Sequence, residues 1–190
     1  MSIVPPIKSQ GIKTQLVSWI NDLIKHSDIE PTSRWLEPFF GTGVVGFNSP
    51  LRGSHIVGDT NPHIINFYRG IQNGDITSRK MKEYLIREGA LLEESDEDGY
   101  AHYRLVRDRF NEEFSSYDFI FLSRAGFNGM MRFNKYGKWN IPFCKKPNRF
   151  AQAYVTKICN QIDKVKGIIM EKDWTFENCD FQAIINQAQS

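Results

Sequence analysis

The chain has 190 residues, 41% of them apolar and 13% aromatic, and a formal net charge of +2. It is long enough for one domain with a real core and an inserted subdomain. It is too apolar to be a disordered chain. The near balance of charge excludes any whole-molecule electrostatic argument for nucleic-acid binding.

Cys144, Cys159 and Cys179 are widely spaced and form no C-x-x-C, a usage that fits a reducing compartment. None of His26, His55, His63 and His102 stands in a metal-ligand spacing such as H-E-x-x-H, and no metal site is expected. The first residues, M-S-I-V-P-P-I-K-S-Q, contain no apolar signal-peptide core. No run approaches the ~20 apolar residues that span a bilayer. The expectation is a cytoplasmic protein with no membrane partner.

In chain order, residues 14–26 place Leu16, Val17, Ile20, Leu23 and Ile24 on one helical face. Arg34 to Phe40 reads as a buried strand, and Val44 to Phe47 as the start of a short helix. H-I-V-G-D at 55–59 predicts a second strand. A helix follows, with Asn61 as N-cap and Pro62 in its first position. This strand–helix–strand–helix order begins a parallel α/β sheet. Residues 78–114 predict two helices around the acidic turn E-E-S-D-E-D-G at 93–99. Residues 117–122 form an apolar run that periodicity leaves open between strand and helix. Residues 125–143, rich in Gly, Asn and aromatics, read as a loop or hairpin. The helical period returns from about Asn148 to Met170, W-T-F at 174–176 reads as a strand, and Phe181 to Ala188 as a helix. The expected organisation is an α/β domain of residues 1–75 and 151–190 interrupted by an inserted, largely helical subdomain of residues 76–150.

Directly after the first predicted strand stands G-x-G-x-x-G, at Gly41, Gly43 and Gly46. Such glycines permit a tight strand-to-helix turn and close backbone approach to a ligand. The pattern admits a dinucleotide site, with Asp59 on a ribose, or a turn that only packs helix on strand. Glu37 beside the turn favours a third answer. Its negative charge suits a cationic or zwitterionic ligand better than a pyrophosphate, and S-adenosylmethionine (AdoMet) is such a ligand.

Between Asp118 and Asp163 there is no acidic residue, while Arg124, Arg132, Lys135, Lys138, Lys145, Lys146, Arg149 and Lys157 all fall there. A local excess of eight positive charges in a chain of net +2 is the footprint of a phosphate-facing surface. Phe127, Asn128, Phe133, Asn134, Trp139 and Asn140 are interleaved with it.

Taken in order, E-P-F-F-G-T-G, D-T-N-P-H-I-I-N-F-Y and F-L-S-R-A-G-F-N-G-M-M-R-F-N-K-Y-G-K-W-N-I-P-F resemble the Dam-like (alpha-class) adenine-specific DNA methyltransferases, including those of restriction–modification systems. P-P-I-K-S-Q-G-I-K-T at 5–14 and F-C-K-K-P-N-R-F-A-Q-A-Y at 143–154 extend the likeness over nearly the whole chain. The resemblance implies a Rossmann-like AdoMet-dependent sheet, methyl transfer from AdoMet to N6 of adenine in double-stranded DNA, and recognition of a site beginning G-A-T. It implies cofactor contacts by Gly11 and Lys13 at the methionine end, and by Glu37, Phe39, Gly41 and Gly43 in the turn. Asp59 would hold the ribose, and Asp180 and Phe181 the adenine. Lys13 could equally be a solvated lysine and Asp180 a helix cap.

On the DNA side, methylating an adenine requires extruding it from the stack. The resemblance implies that Phe127 fills the gap, Asn128 bonds the orphan thymine and Arg132 reads a guanine. Asn134, Lys138, Pro142, Lys145, Lys146 and Arg149 would belong to the same face. Arg124 is expected on a backbone phosphate or an internal carboxylate. The family's [D/N]-P-P-[Y/F] tetrapeptide, which holds the target amine, does not occur. The only Pro-Pro is Pro5-Pro6, within V-P-P-I. The sequence therefore reads as the N-terminal portion of such an enzyme, with no catalytic residue of its own. It would need a C-terminal half, or act as a non-catalytic DNA-binding remnant.

Overall fold

A computed structural model describes residues 2–189. The chain divides into two compact units. One comprises the residues up to Pro5, Ile12–Asp75 and Gln161 onward; the other comprises Pro6–Gly11 and Ile76–Asn160.

The first unit holds a three-stranded parallel sheet of β1 (Trp35–Glu37), β2 (His55–Asp59) and β3 (Trp174–Asn178), in that spatial order. Trp35 lies opposite His55, and Val57 opposite Phe176. Around the sheet are α1 (Val17–Lys25), α2 (Pro62–Gln72), the C-terminal part of α6 (Gln152–Glu171) and α7 (Phe181–Asn186). Asn61 caps α2 by accepting from the His63 N–H at 3.0 Å, with Pro62 in the first turn as expected. The buried side of α2 carries Ile64, Ile65, Phe67, Tyr68 and Ile71. From its C-terminal half, Arg69 and Gln72 donate to the carbonyls of Phe176 and Trp174, satisfying acceptors on the outer strand. Phe40, Phe47, Tyr68, Trp174 and Phe176 form one aromatic cluster with centroid spacings of 4.9–6.4 Å. Ile184 of α7 seats over Gly58, where a Cβ would stand 2.6 Å from it; only glycine admits that approach.

Several local expectations change. The first strand is shorter than Arg34–Phe40, because Pro38 has no N–H to pair, although the Phe40 N–H still reaches Gly58 O. The segment after the turn is a 3-10 turn, Gly46–Asn48, and not a helix. Asn48 takes the Val44 carbonyl with its own side chain, competing with helical pairing. Of the apolar set on α1, Val17 is buried, while Leu16 and Leu23 are exposed.

The second unit holds α3 (Ser78–Glu94), α4 (Tyr100–Glu113), α5 (Ser116–Ala125) and the N-terminal part of α6. The run at 117–122 lies in α5 and is buried on nearly every side, so no amphipathic period was there to mark it as helical. Tyr103, Phe110, Phe119, Phe121 and Phe150 form the apolar centre. Beside it lies an ionic network. Arg109 grips Asp118 with two hydrogen bonds, of 2.9 and 2.5 Å, and Tyr84 donates to the same carboxylate. Glu88 accepts from His102 at 2.9 Å and from Arg87 at 2.8 Å. Burial alone would raise the Glu88 pKa, but the bonds from His102 and Arg87 and the charge of Arg109 hold it at about 2.

Candidate cofactor turn and nucleic-acid interface

The glycine turn of the first unit is fixed from three directions. At its start, Asp59 Oδ2 accepts from the Gly41 N–H at 2.7 Å, while Oδ1 accepts from the Asn61 N–H at 2.8 Å. In its middle, the buried Tyr68 hydroxyl donates to Thr42 O at 2.6 Å. At its end, Glu37 accepts from the Gly46 N–H and, at 3.0 Å, from the Trp35 indole. Gly41 and Gly43 sit at φ +53° and +78°, the left-handed region where a side chain is strained. A Cβ on Gly43 would meet the Phe40 and Phe47 rings at 2.5 Å, whereas one on Gly41 would project into open space. Gly43 is thus a packing glycine, and Gly41 leaves room beside the turn.

Next to this room, Phe39 stacks on Phe181 with centroids 5.3 Å apart. Phe39 is 72% exposed and Phe181 37%, an unusual surface position for two rings that already touch. Asp180 caps α7 by accepting from the Gln182 N–H at 3.0 Å, so its helix-cap role is realised. Lys13 is exposed, and its carbonyl accepts from the Leu16 N–H. Gly11, at φ +73°, falls in the second unit.

Glu37, expected as a negative charge beside the turn, is buried against the Trp35 indole and the Gly46 N–H. Burial raises its pKa to about 7 against the lowering effect of its two hydrogen bonds, and among the described residues no Lys, Arg or His forms an ion pair with it. Trp35 and Tyr68 escaped the sequence analysis. Trp35 is two residues from Glu37, hence on the same face of a strand, and that spacing was the available signal.

In the second unit, residues 126–143 form an irregular hairpin. Isolated antiparallel bridges join Gly126 to Phe143 and Phe133 to Trp139, and the Phe127 N–H donates to Pro142 O at 2.9 Å. The hairpin is rooted by Trp139, expected among the interleaved surface aromatics but 2% exposed. Its indole donates to the Tyr103 hydroxyl at 3.1 Å, that hydroxyl donates to Ile141 O at 2.7 Å, and the Trp139 N–H reaches Asn111 at 2.7 Å. A buried indole needs such a partner.

At the hairpin surface, Phe127 is 47% exposed and Asn128 stands at φ +53°. Arg132 and Lys138 are exposed, as are Lys145 and Lys146 farther along. The Arg132 guanidinium donates to Asn140 O at 3.1 and 3.3 Å. The Asn134 side chain accepts from the N–H groups of Tyr136 and Lys138; it shapes the tip. The Arg124 guanidinium donates to Pro6 O at 3.0 Å. Burial, with the nearby charge of Arg149, lowers its pKa to about 10. Arg149 Nε donates to Cys144 Sγ at 3.3 Å. Lys8 belongs to this group too. Burial and then the charges of Arg149, Arg124 and Lys146 lower its pKa. It lies far from the basic run in sequence, which is why charge counting missed it.

A parallel α/β sheet whose first strand feeds a braced glycine turn, with an acid at the tip of the second strand, defines a nucleotide- or AdoMet-type cofactor fold. Sequence comparison narrows the class. Residues 9–190 match the D12 class N6 adenine-specific DNA methyltransferase family, and the chain belongs to it. It is 27% identical to the type II methyltransferase M.MjaIII of Methanocaldococcus jannaschii, over 97% of this chain and 68% of that protein. It is 33% identical to a DNA adenine methylase of Vibrio cholerae, over 68% of this chain and 46% of the other. With the retron Ec67 DNA adenine methylase of Escherichia coli the identity is 29%, over 92% and 61%. The chain thus spans roughly half to two thirds of these relatives' lengths. The mixed α/β fold agrees with an AdoMet-dependent methyltransferase, and no helix among the described residues is long and apolar enough to cross a membrane.

Proposed function

We propose that this chain binds AdoMet at the glycine turn and double-stranded DNA through the basic hairpin segment, in the service of methyl transfer to N6 of adenine. The observation that carries the cofactor reading is the Asp59 clamp: one carboxylate fixes the Gly41 N–H at 2.7 Å and the Asn61 N–H at 2.8 Å. A carboxylate offers about four acceptor positions, so Asp59 retains capacity for ribose hydroxyls. The open space over Gly41 and the exposed Phe39–Phe181 pair supply room and an apolar surface for an adenine. The residues present fit the cofactor.

When bound, AdoMet supplies an electrophilic methyl group. The protein's part is to hold and orient. Asp59 and the turn fix the cofactor's position, which lowers the entropic cost of reaction. Exposed Lys138, Lys145 and Lys146 attract the duplex. In this reading Phe127 fills the gap left by an extruded adenine, Asn128 bonds the orphan base and Arg132 reads a guanine. The amine of adenine is a poor nucleophile, and positioned acceptors must hold its hydrogens. No [D/N]-P-P-[Y/F] tetrapeptide occurs in these 190 residues. That same observation favours, as a second reading, a DNA-binding protein without catalysis.

Calorimetry tests the cofactor reading. AdoMet should bind one to one, and Asp59→Ala should weaken it by about 1.5–3 kcal/mol, the range for a lost hydrogen bond to a charged group. Binding of NAD with none of AdoMet would refute it.

A further inference from the structure

Of the two carboxylates that brace the turn, Asp59 and Glu37, the surroundings of Glu37 are not those of a charge kept for a ligand. From its own strand the Trp35 indole donates to Oε2 at 3.0 Å. From the loop the Gly46 backbone N–H donates to the carboxylate, and a Cβ on Gly46 would stand 2.6 Å from Oε2. From α2, Tyr68 is the titratable group that feels its charge, and that hydroxyl is committed to Thr42 O. Among the described residues no cation is paired with Glu37. The carboxylate therefore spans the turn, from the end of β1 to the residue where the chain leaves the glycine segment.

We propose that Glu37 is a positioning residue: its carboxylate ties β1, through the Trp35 indole, to the far end of the glycine turn at Gly46, and the cofactor is held by the turn so formed and not by the Glu37 charge. The inference rests on the reading that AdoMet occupies this turn. It goes beyond that reading by removing Glu37 from the cofactor's contacts and by giving Trp35 a role. The chemistry separates the two possibilities. AdoMet carries a positive sulfonium, whereas its demethylated product, S-adenosylhomocysteine, carries a neutral thioether and is otherwise the same. A charge contact discriminates between them; a brace does not.

The experiment is calorimetric titration of both ligands into the wild-type chain, Glu37→Gln and Trp35→Phe. A carboxamide is neutral and has one acceptor oxygen instead of two, so the bonds from the indole and the Gly46 N–H are weakened or lost. Glu37→Gln should therefore weaken AdoMet and S-adenosylhomocysteine alike, by roughly tenfold each, leaving their affinity ratio unchanged. Trp35→Phe removes the indole donor while Glu37 stays charged, and should also weaken both ligands equally. The double variant should lose less than the product of the two single losses, because both changes weaken the same brace. Selective loss of AdoMet in Glu37→Gln, with S-adenosylhomocysteine unaffected, would overturn the proposal and make Glu37 an ionic contact. Full wild-type affinity for both ligands in both variants would also overturn it. Should Glu37→Gln not fold, Trp35→Phe decides by the loss itself: roughly equal weakening of both ligands supports the brace, and wild-type affinity for both overturns it. Failure of the wild-type chain to bind either ligand would instead refute the cofactor reading beneath it, and the proposal with it.

Discussion

Two buried carboxylates show how differently the two units are held together. Glu88, in the helical unit, lies among Arg87, Arg109 and His102, and these partners outweigh burial and keep its pKa near 2. Glu37, at the glycine turn, has only an indole and a backbone N–H, and burial raises its pKa to about 7. The helical unit joins α3, α4 and α5 by ion pairs. The turn is braced by neutral donors that set backbone geometry, with no Lys, Arg or His among the described residues paired to Glu37. A buried charge needs partners to persist, so the choice of partner records what each unit is built to do.

The largest effect expected from breaking this contrast lies at the root of the hairpin. Trp139→Ala removes a buried indole from the core and takes from the Tyr103 hydroxyl the one hydrogen bond the indole gives it. It should cost about 3–5 kcal/mol in denaturant unfolding. DNA binding should fall with it, while AdoMet binding, in the other unit, persists.

The carboxylates then give pH dependences of opposite sign. Glu88 is depressed below its ordinary value of 4.5, so its contribution is complete above that pH and is lost as pH falls toward 2. Glu37 is raised, so the folded state binds the extra proton. Its contribution is complete below pH 4.5 and is lost as pH rises through 7. Each is on the order of 3 kcal/mol. Urea melts across pH 2–9 should show Glu88→Gln flattening the acid limb and Glu37→Gln flattening the decline between about 4.5 and 7. Flattening of the same limb by both would erase the distinction.

Smaller effects sharpen the account of the basic segment. Arg132→Ala should cost roughly 1–3 kcal/mol at one G·C pair and little on random duplex. Replacing Lys138, Lys145 and Lys146 together by Ala should weaken all sequences alike and lower the slope of log K against log salt by about 2.7. Equal losses on specific and random duplexes for Arg132→Ala would make it a phosphate contact.

Much of this fold was legible because its signals are local. Asn61-Pro62 declared the start of α2, the short run H-I-V-G-D declared β2, and the acidic turn at 93–99 separated two helices where the structure separates α3 from α4. The glycine turn and Asp59 were legible as a constellation because the chemistry of a strand–turn–helix site fixes their spacing. What stayed hidden depends on tertiary packing. Whether the apolar side of α1 faces inward, whether Trp139 is surface or root, and whether Arg124 points out or toward Pro6 are decided by neighbours distant in sequence. The state of Glu37 is the clearest case. The letter E beside a glycine turn reads as negative charge, yet burial without a cation governs its proton.

The most direct test of the whole account is transfer of tritiated methyl from AdoMet to plasmid DNA, followed by nucleoside analysis. On the proposed function, N6-methyladenine should form when these 190 residues act together with a family segment carrying D-P-P-Y, supplied in trans or fused after Ser190, and disappear with Asp59→Ala in this chain. Methylation by the chain alone, abolished by Asp180→Ala, would contradict the account by placing the catalytic acid at Asp180. Absence of product in every arm would contradict the proposed function itself.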